Sequence, residues 1–109
     1  MDTTPFTLDE ANEIAEDFED LIDTSFKTKD GLSYTIENVL VCPFNETEKE
    51  QFARIYLDTK NKTESLSFYK GEEFDVAVFT YSGAAAATGY TWFSIRSFAE
   101  QRGIKYKFI

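Results

Sequence analysis

The chain has no histidine, a single cysteine, two prolines and five glycines among 109 residues, and each scarcity excludes something. Without histidine, the commonest general base and the commonest transition-metal ligand are missing. A Ser-His-Asp triad, a Cys-His pair and histidine-based zinc sites cannot be built from this chain alone. The lone Cys42 cannot form an internal disulfide or a cysteine cluster for zinc. It stands in "NVLVCPF", where it reads as a small buried thiol. No apolar run approaches the roughly 20 residues that a membrane span needs, and no charged-then-apolar leader precedes the acidic start. A reduced, cytoplasmic setting is therefore expected. The N-x-T matches at Asn45 and Asn61 would matter only in a secretory compartment.

What is present is apolar and aromatic. Hydrophobic residues make up 42% of the chain and aromatics 17%, built mainly from eleven Phe and six Tyr. A chain of this length buries roughly two-thirds of the surface its unfolded form exposes. Aromatic side chains contribute about 150–250 Å² each to that burial. With so little glycine and proline there is no obvious linker, and residues 1–109 read as a single compact domain.

Thr7 followed by Glu10 has the form of a capping box, with Phe6 as the apolar residue just before the cap. Leu8, Ala11, Ile14, Ala15, Phe18, Leu21 and Ile22 then recur at helical spacing, which predicts a helix to about residue 23. Asp30-Gly31 marks a turn into a strand that Pro43 closes. In that strand Tyr34, Ile36, Leu40 and Cys42 alternate on one face, with Val39 and Val41 on the other. Residues 46–58 fit two patterns. A short helical turn near 46–50 followed by strands at 52–58 and 65–70 is the assignment adopted. "FDVAVFTYS", residues 74–82, is apolar on both faces and predicts a central strand. "YTWFSIRSFAEQRG" predicts a helix stopped by Gly103, and "IKYKFI" an edge strand with outward lysines. This order implies an α+β fold: a mainly antiparallel sheet of about five strands, with an N-terminal and a C-terminal helix on one face.

Little of this resembles catalytic machinery. Glu72, Glu73 and Asp75 cluster in "KGEEFD", yet acid–base work by paired carboxylates needs burial or a charge partner, and the stretch reads as a solvated turn. Neither "DTSFKTKDG" nor "DTKNKTE" spaces its oxygens as a calcium loop does. Tyr69 and Lys70, as neighbours on a strand, point to opposite faces. "YSGAAAATGYTWF" runs from a strand through small residues, the layout of a phosphate-cradling loop, but no Lys follows Gly89 and the G-x-G-x-x-G spacing is absent. Close packing is the simpler account of its alanines. No cofactor and no metal site is expected.

The charge is distributed unevenly. Residues 1–25 hold nine acidic side chains and no basic one, while the rest of the chain balances eleven against eleven, so the net charge of −9 belongs to the N-terminal segment. Like-charge pairs such as Asp9–Glu13, Glu13–Asp17, Glu16–Asp20 and Glu19–Asp23 cost about 0.2–0.5 kcal/mol each. Burying an apolar side chain of the stripe gains about 1.5–3 kcal/mol, so the helix does not depend on a partner to form. Three readings follow: a solubilising face, an intramolecular match with the basic segment around Arg96, Arg102, Lys105 and Lys107, or a surface for a basic protein. Direct nucleic-acid binding is disfavoured by phosphate repulsion. The expected function is non-catalytic protein interaction, as an inhibitor or immunity-like binder, through Glu13, Asp17 and Asp20. The alternative is a small-molecule module, or an undemanding enzyme, with an aromatic pocket near Tyr81, Tyr90 and Trp92. Self-association through residues 83–89 or the C-terminal strand is a further expectation.

Overall fold

The computed structural model describes residues 4–59, 73–82 and 90–108. The fold is α+β, as expected, with four antiparallel strands among the described residues. In chain order the elements are α1 (Leu8–Phe18), β1 (Ser25–Lys27), β2 (Ser33–Pro43), α2 (Glu46–Thr59), β3 (Phe74–Ser82), β4 (Tyr90–Ser94) and α3 (Ile95–Arg102). The strands lie in the order β1-β2-β3-β4.

The capping box forms as the sequence implies. Glu10 N–H donates to Thr7 Oγ1 at 3.2 Å, and Thr7 N–H donates to Glu10 Oε1 at 2.9 Å. Ala11, Ile14 and Phe18 are buried, whereas Leu8 is 45% exposed and contributes little to the stripe. The α-helix stops at Phe18, short of residue 23, and tightens into a 3-10 turn over Glu19–Leu21. No basic residue sits in its last turn to offset the helix dipole.

Two hydrophobic clusters use the two faces of the sheet. One joins Ile14 and Phe18 of α1, Ile36 and Val39 of β2, Val76 and Val78 of β3, and Ile95 and Phe98 of α3. The other joins Cys42, Ala77 and Phe79 of the sheet to Phe52, Ala53 and Tyr56 of α2. Thus α1 and α3 share one face, as expected, and α2 covers the other.

Three assignments are corrected. Residues 46–59 are one helix where strands were expected over 52–58, because Asn45 caps it. Asn45 Oδ1 accepts from Glu48 N–H at 3.1 Å, and Phe52, Ala53 and Tyr56 fall on one buried face. The expected strand at 65–70 lies outside the described residues, as does Tyr69-Lys70. Residues 90–94 are strand, not the first turn of a helix: they pair with Tyr81–Ala77, and only at Ser94, whose Oγ accepts from Ser97 N–H at 3.3 Å, does α3 begin. Finally, residues 104–108 form no strand, so the C-terminal edge proposed for self-association is absent. The other such segment, 83–89, lies outside the described residues.

The alternation read in β2 is also broken. A bulge between Ile36 and Asn38 shifts the register against β3, so Val39 and Val41 join Ile36 over α1 while Leu40 and Cys42 turn to α2.

Gly103 ends α3 as anticipated, with φ 74° and its N–H bonded to Glu100 O at 3.2 Å. Gly103→Ala should lower the unfolding free energy by about 1 kcal/mol through its left-handed backbone, as measured by urea denaturation.

Candidate functional site

Two surfaces carry chemistry: the outer face of α1 and a cavity beyond the end of β4. On α1, Glu13, Asp17 and Asp20 are all exposed. Among the described residues, no Lys or Arg forms an ion pair with them; both ion pairs belong to Lys49. The intramolecular charge match therefore does not form. Arg102 instead donates from Nη1 to Ser25 O at 3.2 Å, and Arg96 lies against phenyl rings. The polar link from α1 to the C-terminal segment is neutral to anionic: Tyr106 Oη donates to the Asp17 carboxylate.

The cavity, about 1270 Å³ and open to solvent, begins where β4 ends. Because β4 pairs only with Ala77–Tyr81, the first residues of β3 lack a β4 neighbour. Phe6 fills part of that gap, exchanging two backbone hydrogen bonds of 2.9 Å with Phe74. The next backbone group, Val76 N–H, is taken by Asp75 Oδ1 at 2.8 Å. Asp75 Oδ2 accepts from Lys49 Nζ at 2.7 Å, with Lys49 only 6% and Asp75 only 4% exposed. Asp75 is thus not part of a solvated turn, although Glu73 is exposed as expected. Among apolar β3 residues its charge is sustained by the Lys49 ammonium, because a lone buried carboxylate is costly.

Cys42 lies directly across from Asp75 in the β2–β3 register. Burial, reinforced by the Asp75 charge, pushes its thiol well above the ordinary range, with Lys49 acting in the opposite sense. It is an inert core thiol, as its sequence context suggests.

Of the expected aromatic pocket, only Trp92 lines this cavity. Tyr81 and Tyr90 face each other across β3 and β4 with ring centroids 6.1 Å apart, and Tyr90 is 44% exposed. The cavity gathers Lys49, Tyr106 and Phe108, which sequence reasoning did not assign to a site, with Asp75, read there as a solvated turn, and Arg96, read as part of a basic match to α1. A signal existed for Lys49, which stands at i, i+3, i+4 and i+7 with Phe52, Ala53 and Tyr56 once that segment is read as a helix. Among the described residues, no three Cys, Asp or Glu side chains are grouped to hold a metal ion, and no helix is long and apolar enough to cross a membrane.

Comparison of the chain with protein-family models, with curated proteins and with solved structures gave no match in any of the three.

Two outcomes follow from this geometry. Lys49→Met or Asp75→Asn alone should cost about 3–5 kcal/mol by leaving a buried charge unpaired. The double variant should cost at least about 1 kcal/mol less than the sum of the singles, because it leaves neither charge unpaired, as measured by a urea-denaturation cycle.

The second concerns alkaline pH. Partial burial, then the Asp17 hydrogen bond and the nearby carboxylates, hold the Tyr106 phenol at about 12 instead of 10.0. Both Tyr106 and Cys42 keep their protons more tightly in the folded chain, so their stabilisation is complete below the unfolded values. It is lost as pH rises beyond them. Unfolding free energy should hold to about pH 8, begin to fall near pH 9 as the unfolded thiol ionises, and fall further between about pH 10 and 12. Tyr106→Phe should flatten the upper part of that fall.

Proposed function

We propose that this domain works by binding, and that the acidic face of α1 recognises a basic protein. The observation that supports this is the set of exposed carboxylates on α1 and its 3-10 extension, none of them ion-paired among the described residues. The helix is fixed by its capping box and by Ala11, Ile14 and Phe18, so the acidic side chains opposite play no part in its folding. They repel one another, which a solvated surface tolerates and a cationic partner relieves. Asp17 is oriented by Tyr106 and stays exposed, so it presents a held acceptor beside the exposed Glu13 and Asp20. A basic enzyme or toxin covered by this face is the sharper form of the reading, with the domain as its inhibitor. Binding of this kind depends on rapid, salt-sensitive association.

Affinity capture from native lysate at low and moderate salt tests the reading, with wild type beside Glu13→Lys/Asp17→Lys/Asp20→Lys. A basic protein should be retained by wild type, released by salt, and missed by the folded triple variant. Equal retention by both baits would return the face to a solubilising role.

A further inference from the structure

Arg96 stands where local forces do not favour an arginine. It is the second residue of α3, in the turn where a helix dipole attracts anions and opposes cations. Its guanidinium carbon lies 4.2 Å from the Phe6 ring centroid and 5.6 Å from that of Phe108. Nε and Nη2 are both buried without a hydrogen-bond partner. No carboxylate among the described residues lies within ion-pair distance, although the chain carries 20. Buried donors on a charged group are costly to leave unpaired. Ring contacts do not discharge that need: a phenyl ring offers no lone-pair acceptor, whereas the planar fork of a guanidinium matches an oxyanion.

The same side chain lines the cavity, together with Lys105 and the apolar surfaces of Trp92 and Phe44. The other cavity cation, Lys49, is already committed to Asp75. What remains is Arg96 and Lys105, facing Glu46, Glu73 and Glu100, all three solvent-exposed. Such a rim repels polyanions but is screened by water and salt, whereas the half-buried Arg96 guanidinium, with Nε and Nη2 out of water, is screened less.

We propose that this cavity binds a small organic anion, whose carboxylate or phosphate group is held by Arg96 while its flat apolar body rests against Trp92. The α1 face plays no part, so this site stands or falls independently of the protein-binding reading. Occupancy is compatible with the dipole of α3, which gains the anion its first turn lacks.

The experiment uses the full chain with benzoate, phenyl phosphate and uncharged benzamide as probes. Emission of Trp92, the single tryptophan, reports the cavity, and the NMR resonance of the Arg96 Nε–H reports the contact itself. Saturable shifts of both signals with benzoate or phenyl phosphate, and none with benzamide, are expected. The tighter of the two anions identifies the oxyanion. Arg96→Gln should weaken binding at least about tenfold, with partial recovery in Arg96→Lys. Equal response to benzamide, unchanged affinity in a folded Arg96→Gln, or an Arg96 resonance unmoved by either anion would each overturn the proposal. Since the last readout needs only wild type, loss of folding in the variants would not shield it.

Discussion

The β2–β3 ladder is the member on which every other part of this fold leans. It is covered on both sides, by α1 and α3 over one face and by α2 over the other, so both strands must present apolar side chains in both directions. Strand β3 does this by simple alternation, with Val76 and Val78 opposed to Ala77 and Phe79. Strand β2 cannot, because Glu37 and Asn38 interrupt its apolar run. The bulge at that point absorbs the interruption and re-phases the strand, so that Val39 meets the same cluster as Ile36. One extra residue thereby lets a mixed sequence serve as a two-faced central strand.

Charge is sorted by depth in the same molecule. The acids of α1 stay in water, while Lys49 and much of Arg96 are drawn inward against aromatic rings. Lys49 is neutralised by Asp75 and flanked by Phe44 at 5.3 Å, which rigidifies the junction of α2 with the sheet. The C-terminal segment ties these regions together: Phe108 covers Arg96, and Tyr106 reaches both Asp17 and the Phe18 ring, 5.0 Å away. The acidic surface and the cavity are therefore neighbours through five residues of irregular chain.

Features written in short stretches were legible beforehand. The Thr7–Glu10 box, the Asp30-Gly31 turn and the Gly103 stop each depend on residues within one turn of each other, and all three form. Features that require a distant partner were not. Tyr90–Ser94 has an aromatic pattern that suits a helix or a strand, and only pairing with β3 decides between them. Asp75 looked solvated because Lys49, 26 positions away in sequence, was not visible as its partner. The Glu13, Asp17 and Asp20 face was readable from helical periodicity, whereas the cavity is assembled from α2, β3, β4, α3 and the C-terminal segment, and no single stretch announces it. Asn45 was the exception, a local cap at the head of α2 that the hairpin-like pattern after it concealed.

The bridge between Phe6 and Phe74 also bears on association of the chain with itself. Strand β3 extends past the end of β4, and the uncovered length would be an open sheet edge, the kind of surface on which chains polymerise. Phe6 stoppers it with both of its backbone groups, and the acidic helix that follows immediately surrounds the stopper with negative charge. Edge closure and electrostatic repulsion are thus built into one short segment. Fraying of that segment would remove both safeguards together, which makes Phe6 and α1 the guard of this stretch of the β3 edge.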